Sequence, residues 1–250
     1  MNEELPRMSN EEYFQELNHR LGANYAFIRD VLGVLEDMKQ YGRESRAFFY
    51  LFMSANRNRK LFDGLSEMLK TRNLLCAASI VRMQIDNCMR LNAPLLVARE
   101  SAEKVLLTCL DKNGKLQKLK VRVNGKEEKL SDFFLKNELE KRMEGTQSIY
   151  DELSGYIHLD GPSFWSSYVS HSGTLQNFSI GSETSEVFNP KLLELGEIFG
   201  AYTIAQMKIM MDYKDILPQS EQELAKAASS SRGESEASDE AISPQAGEER

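Results

Sequence analysis

The sequence predicts a mainly α-helical domain that carries one β-hairpin insertion and ends in a disordered acidic tail. Apolar residues recur at helical spacing over most of residues 1–218. Residues 115–130 are the exception, because apolar and basic residues alternate there on either side of an Asn-Gly pair. The C-terminal stretch SSSRGESEASDEAISPQAGEER has no aromatic residue and a single Ile. We therefore expect one helical domain over 1–218 and a disordered tail over 219–250.

The N-terminal half of the domain predicts three helical regions. Ser9 and Glu12 have the spacing of a capping box, and the apolar positions that follow continue at helical spacing to Leu35. The segment SRAFFYLFMSANRNRKLFDGLSEMLKT predicts the second region. A third region starts at NLLCAASIVRMQIDNCMRL and continues past Pro94, which must kink or divide it.

The C-terminal half predicts further helices separated by a long loop. A helical pattern runs from Ser131 to His158 and is interrupted near Gly145. Residues 159–188 are rich in Ser, Gly and Thr, which predicts a loop with a short strand around TLQNFSIG. Asn189-Pro190 predicts the start of the last helix, with Asn as the N-cap and Pro at the first helical position.

The hairpin is predicted by strict alternation and by its turn. Asn124-Gly125 fits the positive φ angles of a two-residue loop between strands. Three apolar residues alternate with three basic ones along the first strand: Lys118, Leu119, Lys120, Val121, Arg122 and Val123. The basic face could contact a nucleic-acid backbone. Exposed lysines more often prevent edge-to-edge pairing of strands, and we favour that interpretation.

Composition excludes several classes of protein. No run of about 18 apolar residues occurs, so we expect no membrane span. Cys76, Cys88 and Cys109 lack the C-x-x-C spacing of a metal site, and their apolar surroundings predict core positions. P-loop, dinucleotide-binding, G-x-S-x-G and H-E-x-x-H motifs are missing. The sequence therefore predicts no metal and no cofactor, and a reducing cytoplasm as the location.

The net charge of −7 is placed unevenly. Residues 219–250 contain eight acids and three bases, so the tail carries five of the seven net negative charges. The remaining domain is close to neutral. Overall acidity therefore says little about its partners.

The third helical region carries a polar strip along one side of an otherwise apolar helix. Projected at 100° per residue, Ser79, Arg82, Asp86 and Arg90 form this strip. One interpretation is a surface ladder of ion pairs, each worth about 0.2–0.5 kcal/mol. The other is an arginine-bearing edge of a cleft, in which Asp86 holds the two guanidinium groups in position for a phosphate.

His158 follows the helical segment SIYDELSGYI and precedes Gly161-Pro162. A histidine at a helix C-terminus is suited to general acid–base chemistry, because its protonated form is favoured there. The same position suits a structural histidine that bonds to the last carbonyls of the helix. His171 lies a short segment further along the chain.

The helix LLCAASIVRMQIDNCMRL, followed later by YDELSGYIHLDG, resembles the HEPN-like class of bacterial helical proteins over residues 60 to 213. The likeness is closest to a poorly characterised branch that ends in a Y-x-x-L-S-x-Y-x-H turn. The resemblance implies an antiparallel helical bundle, commonly dimeric. It also implies metal-independent cleavage of RNA, as in toxin–antitoxin and phage-defence systems.

In the catalytic HEPN motif, an Arg precedes a His by four to six residues on one helix. Here the nearest Arg before His158 is Arg142, so only His158 matches the motif. Arg82 or Arg90 would have to act from another helix, with Asp86 orienting them. Two hypotheses follow: an RNA-cleaving or RNA-binding effector that uses these residues, and a non-enzymatic helical module that self-associates or binds a protein.

Overall fold

Seven α-helices follow one another in the part of the chain that the computed structural model describes, namely residues 8–41, 43–158, 161, 168–172, 175–178 and 185–217. Their bounds are α1 (Asn10–Met38), α2 (Arg46–Lys70), α3 (Leu74–Asn92), α4 (Arg99–Leu110), α5 (Asp132–Glu140), α6 (Thr146–Ile157) and α7 (Asn189–Asp212). The prediction of a mainly α-helical bundle is confirmed. The tail at 219–250 lies outside the described residues.

The ends of the helices follow local sequence signals. Ser9 and Glu12 form the predicted capping box, in which each side chain accepts a hydrogen bond from the other residue's backbone N–H. Pro94 lies in a short 3-10 segment between α3 and α4, so it divides the third region as expected. Gly145 adopts φ 87°, a left-handed conformation that favours glycine, and separates α5 from α6.

Consecutive long helices pack as antiparallel neighbours. Tyr13 at the start of α1 donates a hydrogen bond to the carbonyl of Leu69 near the end of α2 (2.7 Å). In the same way, Ser54 on α2 donates to Asn87 on α3 (3.1 Å). The last helix returns to α1 and lies beside it, so that elements from both ends of the described chain are in contact.

The helices α1 and α7 approach closely at two glycines. Asn24 on α1 donates from Nδ2 to the carbonyl of Gly196 (2.8 Å). A Cβ added at Gly200, one turn later, would overlap Oδ1 of the same asparagine. The absence of a side chain at Gly200 therefore permits this close contact between α1 and α7.

The interior contains a group of buried amides in addition to the apolar core. Gln206 on α7 accepts hydrogen bonds from Asn58 (2.5 Å) and Gln84 (2.9 Å) and donates to Ser54 (3.0 Å). Asn58, Gln84 and Gln206 are fully buried. Because burying an amide without a partner is costly, these bonds fix the positions of α2, α3 and α7 relative to one another.

The predicted hairpin consists of β1 (Lys120–Val123) and β2 (Lys126–Lys129), which pair antiparallel. Asn124 and Gly125 have φ angles of 49° and 81°, as a two-residue loop of this kind requires. Val121 and Val123 of β1 face the core, whereas Arg122 lies opposite Glu127 and Lys120 opposite Lys129. Lys120 is paired with Glu127 (2.9 Å), so the hairpin surface is not a continuous basic face.

A second hairpin, β3 (Tyr168–Ser172) and β4 (Leu175–Phe178), forms where the sequence predicted a loop with one strand. The expected strand corresponds to β4, and β3 was not predicted. The sequence around β3 shows little alternation of apolar and polar residues and is rich in Ser and Gly. Hydrophobic periodicity therefore does not identify this strand.

Two sequence predictions are wrong. Asn189 does not cap α7, because its side chain is buried and bonds to Arg72 (3.0 Å) and to the carbonyl of Met8 (2.9 Å). Phe188 occupies the cap position, and Pro190 is the second residue of the helix rather than the first. Cys76 is exposed rather than part of the core, since it lies on the outer side of the first turn of α3.

Candidate functional site

The polar strip on α3 is present, but its members belong to two different surroundings. Ser79 donates to the carbonyl of Leu75 within its own helix (2.9 Å). Arg82 faces α6, whereas Arg90 faces α5 and a surface cleft. Asp86 lies between the two arginines and pairs with Arg82. The strip therefore does not form one continuous binding edge.

Arg82 is enclosed by three partners. Its Nη1 lies 2.7 Å from Oδ2 of Asp86, and its Nε donates to Oγ of Ser154 on α6 (3.3 Å). Its guanidinium carbon stands 3.2 Å from the centre of the Tyr150 ring, a cation–π arrangement. Only 11% of the side chain is exposed. Burial lowers the pKa of Arg82, and the charge of Asp86 opposes that shift.

These contacts make Arg82 a connection between α3 and α6. Tyr150 also receives Lys136 of α5, whose Nζ lies 5.1 Å from the ring centre and 2.6 Å from Asp151. The three helices thus meet around one aromatic ring that is contacted by two cations. A guanidinium held in this way is occupied by contacts within the protein. This favours the structural interpretation of Arg82 over a phosphate-binding one.

His158 is the C-cap of α6, as predicted, and its side chain is exposed. Its backbone N–H donates to the carbonyl of Ser154 (3.1 Å). Ser154 therefore contacts both candidate catalytic residues: Arg82 through its hydroxyl and His158 through its carbonyl. Within the described residues, no hydrogen bond joins Arg82 to His158.

Arg90 reaches the other side of the strip. Its Nη2 lies 3.1 Å from Oδ1 of Asp132 at the start of α5, and about a third of the side chain is exposed. Arg90 also lines a cleft of about 710 Å³ between α2, α3, the end of α4 and the segment that follows it. This volume lies within the range of small-molecule binding sites.

The cleft has a positive lining. Arg57 and Lys60 of α2 lie one turn apart on its edge and are exposed. Neither has an ion-pair partner in the described part of the chain. Asp86 is the acid that lines the cleft, and its charge is engaged by Arg82. The cleft therefore presents an excess of positive charge to any ligand.

The inner wall of the cleft is neutral. Burial raises the pKa of the Cys109 thiol and raises the pKa of the Tyr50 hydroxyl well above its ordinary value. Both groups are consequently protonated at neutral pH, and Cys109 is not a thiolate nucleophile there. Ser54 and Asn87 supply polar groups to the same wall, and the buried amides behind them hold both in place.

One glycine is required at the rim. A Cβ at Gly114 would overlap the backbone carbonyl of Thr108, which is fixed at the end of α4. The segment after α4 can therefore fold back over the cleft only with glycine at this position.

One of the two interpretations of the strip placed Arg90 and Asp86 at the edge of a cleft, but the sequence analysis missed the two cations on α2. The available signal was the run NRNRK at residues 56–60, in which Arg57 and Lys60 share a face of the helix while Asn58 points inward. This run of residues lines a cleft only because α4 and the segment that follows it lie beside α2. Those contacts come from residues 40 to 60 positions further along the chain.

The described residues contain no group of three or more His, Cys, Asp or Glu side chains placed to hold a metal ion. None of the helices in the same part of the chain is both long and apolar enough to cross a lipid bilayer. A scan against protein-family models, a search of curated proteins and a search of solved structures found no match to the chain.

Proposed function

We propose that the protein is an RNA-binding helical effector of the HEPN-like class, and that it holds RNA phosphates in the cleft lined by Arg57, Lys60 and Arg90. The observation that carries this proposal is the excess of positive charge in that cleft. The resemblance of the sequence to HEPN-like proteins supplies the class of ligand and the setting of toxin–antitoxin or phage defence.

The geometry favours binding over cleavage. A catalytic Arg–His pair needs a guanidinium that is free to meet a phosphate, and Arg82 has three protein partners. His158 is exposed on α6, while Arg57 and Lys60 lie on α2. RNA held by the cleft is therefore bound by Arg57, Lys60 and Arg90 rather than by Arg82 and His158.

The overall charge of −7 does not oppose this assignment. Five of the net negative charges lie at residues 219–250 of the sequence. At physiological ionic strength, charges more than about 8 Å away from a bound phosphate are largely screened. Among the described residues, the charges that line the cleft therefore dominate the interaction.

The test measures fluorescence anisotropy of a labelled short RNA over a series of salt concentrations. We expect Lys60→Ala to weaken binding several-fold and to reduce the salt dependence of log K by about one. Lys208→Ala is the matched control, because Lys208 is an exposed lysine on α7, outside the cleft. Equal affinities of the wild type and Lys60→Ala would overturn the proposal.

Cleavage is tested with the same RNA. We expect the wild type to leave it intact, and His158→Ala to bind it with unchanged affinity. Shortening of the RNA by the wild type but not by His158→Ala would show that His158 is catalytic and that the binding-only assignment is wrong.

A further inference from the structure

The outward face of α2 continues from the cleft as an apolar stripe. Lys60, Arg57 and Asn56 form the half of this face beside the cleft, and Met53, Phe52 and Phe49 extend it toward the start of the helix. These positions repeat at i, i+3 and i+4, so their side chains are neighbours on one side of the helix. The face is about 16 Å long, given a rise of 1.5 Å per residue.

The three apolar side chains are unusually exposed for their size. Phe49, Phe52 and Met53 are 55%, 51% and 50% exposed. Single exposed apolar residues are common, but adjacent ones on a helix face form a patch of the kind that contacts a partner. We refer to Phe49, Phe52 and Met53 as the α2 ledge.

The ledge and the cleft share their boundary. Met53 belongs to both, and Arg57 follows it one turn later on the cleft edge. A ligand that spans this boundary must present flat apolar surface and negative charge within about 10 Å of each other. Phe49, Phe52 and Met53 are each at least half exposed, so the described part of the chain does not cover the ledge.

We propose that the ligand is single-stranded RNA whose unpaired bases stack on Phe49 and Phe52 while its phosphates occupy the cleft. This inference rests on the proposed RNA binding and adds that the bound RNA is single-stranded. A single strand presents bases and phosphates to the same surface, and aromatic side chains beside a positive groove bind it by stacking. A duplex keeps its bases within the stack, so it offers only phosphates to the ledge.

The experiment compares three probes by anisotropy or competition: a short single-stranded RNA, a duplex of the same sequence and inorganic polyphosphate. The ledge variant is the double substitution Phe49→Ser and Phe52→Ser. Phe133→Ser is the matched control, since Phe133 on α5 is 71% exposed and lies outside the cleft. Thermal unfolding of each variant verifies that it is folded.

We expect the ledge variant to bind single-stranded RNA at least about tenfold more weakly and to bind polyphosphate as the wild type does. The control should bind all three probes normally, and the duplex should bind the wild type more weakly than the single strand. Lys60→Ala should weaken both RNA and polyphosphate binding. This pattern separates stacking from charge.

Unchanged affinity of the ledge variant for single-stranded RNA would overturn the inference. RNA binding would then still stand if Lys60→Ala weakens it, so the two proposals fail separately. Sedimentation velocity at several protein concentrations tests a second copy of the chain as the occupant. A wild-type dimer that dissociates in the ledge variant, with RNA affinity unchanged, would assign the ledge to self-association and also overturn the inference.

Discussion

Arg82 lies where a cation is costly to bury, and three neighbours compensate for that cost. Asp86 supplies the opposite charge, Ser154 accepts a hydrogen bond, and Tyr150 offers the face of its ring. The arginine therefore contributes to stability through the junction of α3 and α6. A residue of this kind is easily mistaken for a ligand-binding group when only its polar neighbours in sequence are known.

Replacement of Arg82 tests this role. We expect Arg82→Ala to lower the free energy of unfolding by about 3 kcal/mol, because Asp86 is left partly buried without its counter-charge. Urea denaturation measures the change. Arg59→Ala is the control: Arg59 has an ion pair with Asp63 and lies over a tyrosine ring, but it is more exposed. It should lose less than about 1 kcal/mol.

At the scale of the helix, the packing of α1 against α7 depends on the absence of one side chain. Asn24 occupies the space beside Gly200 and bonds to the carbonyl of Gly196. We expect Gly200→Ala to lower the free energy of unfolding by about 2 kcal/mol, since the added methyl group displaces Asn24 from its hydrogen bond. Chemical denaturation checks the value.

Gly33→Ala is the matched control on α1. Nothing lies within 4 Å of a Cβ added at Gly33, and the position is exposed. Alanine there should raise the free energy of unfolding by about 0.5–1 kcal/mol, because glycine is the weaker helix former. Opposite signs at the two glycines would confirm that contact, rather than propensity, decides the outcome at Gly200.

The junction of α5 and α6 depends on a carboxylate. Glu140 accepts hydrogen bonds from the backbone N–H groups of Gly145 (2.9 Å) and Gln147 (2.8 Å), and these bonds lower the pKa of Glu140. A lowered pKa in the folded state stabilises the fold above the unfolded-state pKa of about 4.3. That contribution is lost as the pH falls through the lowered value.

We therefore expect Glu140→Gln to lower the unfolding midpoint at pH 7, and the difference from the wild type to shrink as the pH is lowered toward about 3. Thermal unfolding followed by circular dichroism measures both. Glu144→Gln removes the same charge from an exposed residue four positions later and should change the midpoint little at either pH. A difference that persists at low pH would show that the carboxylate charge is not responsible.

At the scale of the whole molecule, the sequence predicts the helices better than it predicts the buried polar contacts between them. Helical periodicity, Pro94, Gly145 and Asn124-Gly125 place most elements, because each signal acts over a few residues. The buried amides could not be predicted, since Gln84 and Gln206 become acceptable inside only when paired with each other across 122 positions. Asn189 was misassigned for the same reason: its partners lie near the start of α1 and after α2.

In the candidate site, too, the local pattern could be predicted from the sequence and the long-range contacts could not. The strip on α3 is a local pattern, so the sequence could place Arg82, Asp86 and Arg90 on one side of one helix. Which of them meets solvent depends on α5 and α6, which pack against different ends of the strip. The cations of α2 became relevant only once the segment after α4 formed the opposite wall of the cleft.

The contact between α1 and α7 has a consequence for synthesis of the chain on the ribosome. α1 has core residues such as Tyr13, Leu17 and Ile28 on one face, and part of its packing surface is made about 170 residues later. At about 5–20 residues per second, α1 waits roughly ten to thirty seconds for its last neighbour. During that interval its apolar face is incompletely covered, and the nascent protein is open to capture by a chaperone.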